Sequence, residues 1–124
     1  MSSTAVSIWS EYAKAWAPIS DHERRKIIAQ TLDPKIAYTA ASMVCEGHEG
    51  VIQDIEGFQA NFPGGHFFLY SKSVHHDVAL IEWQLILSDG TESVLGHDAI
   101  HISAEGKIDS IATFAKATPE PKNA

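Results

Sequence analysis

The chain has 124 residues, 44% of them hydrophobic and 20% charged, the balance of an ordinary globular protein. Nine Lys plus Arg against sixteen Asp plus Glu leave a formal charge of −7, and no basic cluster offers a phosphate-binding surface, which argues against nucleic acid as a partner. The single cysteine, Cys45, rules out an internal disulfide. No apolar run approaches the roughly 20 residues that cross a bilayer, and the first residues lack a basic stretch before an apolar core, so a cytoplasmic protein without a membrane partner is expected.

Trp9, Tyr12, Ala13 and Trp16 recur at three- and four-residue spacing and predict a helix over residues 4–17, ended by Pro18. Ser20, with Glu23 three residues on, is a capping-box pattern. It predicts a second helix from Asp21 to Leu32 that buries Ile27, Ile28 and Leu32, with Arg24-Arg25-Lys26 on its solvated face. Asp33-Pro34 closes that helix, Lys35 to Thr39 reads as a short strand, and Ala40 to Gly47 as a loose connection. Val51, Ile52, Ile55, Phe58 and Phe62 form the stripe of a third helix, stopped by Pro63-Gly64-Gly65.

From His66 the period changes to two. His66 to Val74, Val78 to Leu87, Glu92 to Ser103 and Lys107 to Ala115 read as strands, joined by turns at His76-Asp77, Asp89-Gly90 and Glu105-Gly106. Residues 118–124, with Pro119 and Pro121, read as a disordered tail, and residues 1–117 as one domain. Three helices followed by a meander is an α+β pattern: helices packed on a curved antiparallel sheet, forming a cone with an internal pocket open at one end.

The strand around His97, Asp98 and His101 carries the polar residues of greatest interest. Side chains alternate across a strand, so His97 and His101 share one face and Asp98 lies on the other, with Gly96, Ile100 and Ile102. Four residues span about 13 Å along a strand, too far for the two histidines to hold one ion. They are expected on the outer sheet face. Asp98, on the apolar face, is expected to have its pKa raised by desolvation, which would let a neutral acid donate a hydrogen bond to a ligand oxygen. An Asp98 that only anchors the core is the alternative. His75-His76-Asp77 lacks a further ligand at useful spacing, so no metal is expected, although one of these histidines could act as a base at the pocket mouth. His66 is a weaker candidate of the same kind, and Cys45 reads as a small apolar filler.

Taken together, "WSEYAKAW", "EGHEGVIQDIEGFQANFPG", the Trp83 strand with its "DG" turn, and "GHDAIHISAEGKIDSIATF" resemble the SnoaL-like, nuclear-transport-factor-2-like superfamily over about residues 5–115. That superfamily includes ketosteroid isomerases, polyketide cyclases and limonene epoxide hydrolases. The resemblance implies the α+β cone, a homodimer formed through the outer sheet face, no cofactor, and a small apolar ligand. It places Asp98 and Tyr12 at the two positions of the ketosteroid isomerase oxyanion hole. The family's general base, an aspartate in a Tyr-x-Asp-Pro pattern, is absent: the stretch here is Tyr38-Thr39-Ala40-Ala41, and Ala40 holds its place. The Asp-Arg-Asp arrangement of the epoxide hydrolases has no counterpart, since Arg24 and Arg25 are the only arginines.

The candidate catalytic residues are therefore Asp98, Tyr12 and His75, and the candidate ligand-binding residues Trp9, Trp16, Tyr38, Phe58, Phe62, Trp83, Ile100, Ile111 and Thr113. The functions that follow are an isomerase or cyclase for an apolar carbonyl compound, a non-catalytic pocket for an apolar metabolite, or an interaction module of the same fold.

Overall fold

The N-cap expected at Ser20 is formed in the structure, a computed structural model that describes residues 4–122. Ser20 Oγ accepts the backbone N–H of Glu23 at 3.1 Å and donates to the Glu23 carboxylate at 3.1 Å, starting α2 (Asp21–Thr31). Before it, α1 (Thr4–Ala13) tightens into a 3-10 turn over Lys14–Trp16, so the first helix is shorter in α-form than its apolar spacing predicts. Arg24 explains how that tightened turn is held. Its Nε donates to the Ala15 carbonyl at 2.9 Å and its Nη2 to the Ala17 carbonyl at 3.1 Å. The side chain is buried by this service, a correction to the solvated face expected of it, because the carbonyls ending the first helix have no helical partner. Its neighbour Arg25 is exposed and pairs with Asp21 and Glu49.

Strand β1 (Leu32–Thr39) begins earlier than expected and carries Pro34. Its pairing skips from Leu32 to Ala37, and the missing N–H of Pro34 falls in that irregular stretch. A three-residue strand, β2 (Val44–Glu46), pairs with Ala37–Thr39 where a loose connection was expected; it is too short to show an alternation in sequence. Helix α3 (His48–Asn61) follows, then β3 (His66–His75), β4 (Val78–Ile86), β5 (Glu92–Ile102) and β6 (Ile108–Ala115).

The six strands form one curved, open sheet in the order β2-β1-β6-β5-β4-β3. All neighbours are antiparallel except β1 and β6, which run parallel, with the third helix and four strands between them in the chain. The architecture is the expected α+β cone: three helices against the concave face. Inward-pointing Ile36, Tyr38, Ile81, Ile100 and Ile111 meet Trp9, Ile28, Val51 and Ile55 from the helices in one apolar cluster. Among the described residues no helix is long and apolar enough to cross a membrane. Residues 116–121 contain no helix or strand, and Asn123 and Ala124 of the expected tail lie outside the described residues.

Candidate functional site

Asp98 is 5% exposed, on the concave face of β5, at the wall of a cavity of about 250 Å³. Three side chains from three elements converge on it. Trp9 Nε1–H, from α1, donates to Oδ2 at 2.8 Å; Trp83 Nε1–H, from β4, donates to Oδ1 at 3.0 Å; Thr113 Oγ1–H, from β6, donates to Oδ1 at 2.8 Å. Strand register explains two of these, because Thr113 lies directly across from Asp98 and Trp83 across from Gly96, two residues before it. Burial pushes the Asp98 carboxyl above the ordinary carboxylate range, against the opposite pull of the Trp9, Thr113 and Trp83 donors.

Much of the rest of the wall is aromatic, with Tyr12, Trp16, Tyr38 and Phe67 beside Trp9 and Trp83, and Ala40 and the exposed Ala41 and Ser42 line it too. Tyr12 is buried and does not bond Asp98; burial, then the nearby Asp98 carboxyl, pushes its phenol up. A second acid, Asp54 of α3, lines the same cavity. Tyr38 Oη donates to its Oδ2 at 2.5 Å and Ser42 Oγ to its Oδ1 at 2.6 Å. Burial, the Tyr12 phenol and the bond to Asp54 push the Tyr38 phenol far above its ordinary value.

No family model matches the sequence, and no curated protein does. Solved structures do. A SnoaL-like family protein from Agrobacterium tumefaciens str. C58, itself proposed to be an isomerase, is 28% identical with a TM-score of 0.83 over 92% of this chain and 98% of that one. The chain has the fold of the SnoaL-like, nuclear-transport-factor-2-like superfamily. Two more distant structures share the SnoaL-like fold. A Jannaschia sp. CCS1 protein proposed to be a SnoaL-like polyketide cyclase is 14% identical, with a TM-score of 0.72 over 91% of this chain and 85% of that one. An NTF2-like protein from Exiguobacterium sp. 255-15 is 15% identical, with a TM-score of 0.68 over 94% and 100% of the two chains.

Within this SnoaL-like cone, the candidates sort by position. Trp9, Tyr12, Trp16, Tyr38, Trp83, Asp98 and Thr113 all line the cavity. Ile100 and Ile111 do not: two residues beyond Asp98 and Thr113, they face each other across the β5–β6 ladder and are packed into the core. Phe58 stacks between Trp16, Phe62 and Phe67 behind the wall, and Phe62 is 45% exposed at the end of α3. His75 is also elsewhere. It sits at the far end of β3, exposed, with its Nδ1 3.2 Å from that of His76, and lines a groove on the outer sheet face. The one-for-one alternation of β3 is broken between Leu69 and Ser71, and the strand runs on past the cavity before His75 is reached. His66 is exposed at the start of β3 and does not line the cavity. His97 and His101 lie on the outer face, His97 3.6 Å from Glu82.

Asp54 was not among the sequence candidates. Its signal was present: three residues after Val51 and four before Phe58, it is an acid on the apolar stripe of α3. Phe67 was likewise readable as the inward neighbour of Leu69 on β3.

Proposed function

We propose that the protein is a cytoplasmic isomerase or cyclase that takes a small apolar carbonyl compound into this cavity and polarises its oxygen with Asp98 and Tyr12. The unequal bonding of the Asp98 carboxyl carries the reading. Oδ1 accepts two hydrogen bonds, which fill both lone pairs of a carbonyl-type oxygen, whereas Oδ2 accepts one. A neutral acid held this way carries its proton on Oδ2, and burial favours the neutral form. That O–H donates to the substrate oxygen and strengthens its bond as negative charge develops there, the use to which ketosteroid isomerases put a neutral acid. The volume, near the low end of small-ligand pockets at about 300–1,000 Å³, suits a substrate of one or two rings.

Exchange of α-protons for deuterium in one- and two-ring ketones, followed by NMR, tests this whatever the eventual product. Asp98→Asn keeps an acceptor for Trp83 and Thr113 but sets its NH₂ against the Trp9 N–H. Exchange should fall about 10²-fold, the effect of losing one oxyanion donor; exchange at the wild-type rate in this variant overturns the reading. A second reading, a non-catalytic pocket for the same ligands, is favoured by Ala40 in the base position. It expects the ketones to quench tryptophan fluorescence saturably without any exchange.

We also propose that the outer sheet face pairs with a second copy of the chain. Phe68, Leu80 and Phe114 project from it, each about half exposed.

A further inference from the structure

We infer that Asp54 is the general base of this pocket, standing in from α3 for the aspartate that Ala40 does not supply; the inference rests on the carbonyl reading above. The wall of the cavity leaves little choice of proton acceptor. Among the described residues that line it, the ionisable side chains are Asp98, Asp54, Tyr12 and Tyr38, with no histidine, lysine or cysteine. Both phenols are pushed up and stay neutral. Asp98 is buried and committed to three donors. Asp54 remains.

Its placement suits the task. Tyr38 is two residues before Ala40 and Ser42 two residues after, and their hydroxyls hold the two oxygens of Asp54 from either side of that position. The small Ala40 and Ala41 side chains line the cavity along with the carboxylate and fill little of it. Each oxygen accepts one bond and keeps a lone pair free. Asp54 and Asp98 line one cavity together with Tyr12 and Tyr38, and both phenols feel the charge of both acids. In the proposed pose the ketone oxygen meets Asp98 and Tyr12 and its neighbouring carbon lies towards Asp54.

The step balances without a co-reactant. The Asp54 carboxylate takes a proton from the carbon next to the carbonyl, the C–H pair becomes the C=C bond of an enolate, and the carbonyl π pair moves onto oxygen. Asp98 Oδ2–H and the Tyr12 hydroxyl bond that oxygen. Return of the proton from Asp54 to the original or a conjugated carbon restores the carbonyl and the free carboxylate.

The same bonds could serve only to clip α3 to the β1–β2 corner, and the test separates the two roles. Deuterium exchange into α-tetralone is measured by NMR for wild type, Asp54→Asn, Asp54→Glu and Asp98→Asn, with α-tetralone affinity from tryptophan quenching and folding from thermal denaturation. Asparagine can still bond Tyr38 and Ser42 but accepts no proton. Expected is a loss of exchange of about 10²-fold or more in Asp54→Asn, affinity within about twofold of wild type, and partial recovery in Asp54→Glu. Exchange in Asp54→Asn within about threefold of wild type, alongside a loss in Asp98→Asn, overturns the role of Asp54 and leaves the carbonyl reading standing. Binding without exchange in wild type overturns both.

Discussion

Gly96 lies directly across from Trp83 in the β4–β5 ladder, and a β-carbon on it would run into the Trp83 ring and the Phe114 carbonyl. The indole occupies the space where a side chain would be, which lets its N–H reach Asp98 two residues along the strand. Gly96→Ala should therefore displace Trp83 and break its bond to Asp98. Overpacking of this kind costs about 1–3 kcal/mol. Thermal denaturation should show the loss, and a red-shifted tryptophan emission should show the indole moved towards water. An unchanged emission spectrum would count against this account of Gly96.

Asp98 links that geometry to pH. Its folded pKa is raised above 3.8, so the folded state binds the proton more tightly than the unfolded chain. The stabilisation by this proton is fully present below 3.8 and is lost as pH rises through the raised folded value, above which stability no longer changes with it. Asp98→Asn cannot titrate, so the stability of wild type relative to this variant should decline over that window and then level off. Urea midpoints of the two proteins across acid to neutral pH measure the difference, and a gap that widens with pH would contradict it. Asp98→Ala should be worse at every pH. It leaves the Trp9 and Trp83 N–H groups without an acceptor, at about 1–3 kcal/mol for each buried group.

Much of this was legible in the sequence because periodicity reports burial directly. The alternation of β5 put Asp98 inside with Gly96 and Ile100, and His97 and His101 outside, and the strand has those faces. The spacing of α1 likewise brought Trp9, Tyr12 and Trp16 to one side. What periodicity could not give was depth along an element. Ile100 and Ile111 have the correct facing but sit past the cavity, and Phe58 points inward from α3 yet is screened by Trp16 and Phe67. Nor could it give contacts between distant segments. Asp54 meets Tyr38 and Ser42 only once α3 has folded back over the β1–β2 hairpin, and the three donors on Asp98 come from residues 9, 83 and 113.

His101 makes a second pH dependence, of a different origin. Its Nδ1 is 2.6 Å from Asp109 Oδ1 and its Nε2 2.7 Å from Asp77 Oδ2, so both ring nitrogens face carboxylates and the ring favours its doubly protonated form. The bond to Asp109, then that to Asp77, raises its pKa above 6.5. Stability from this clasp is complete below 6.5 and is lost as pH rises through the raised folded value. His101→Gln should remove that dependence. The difference in melting temperature between wild type and the variant should be larger near pH 6 than near pH 9, and should shrink with added salt because the cluster is open to solvent. A constant difference across that range would show that the ring is not charged there.

The proposed pairing of outer sheet faces can be tested without touching the cavity. Leu80 is 47% exposed and points opposite to its buried neighbours Ala79 and Ile81, so a charge there leaves the concave face intact. Phe68 and Phe114, at 51% and 58% exposed, project from flanking strands of the same face. If a second copy covers them, the wild-type chain should run in size-exclusion chromatography with light scattering at twice its 13.5 kDa mass. Leu80→Glu would then place a carboxylate against its counterpart in an apolar contact and split the pair, while tryptophan emission and ketone binding stay as in wild type. A wild-type protein that elutes at the mass of one chain at high concentration would remove the dimer from the account and leave the cavity chemistry unaffected.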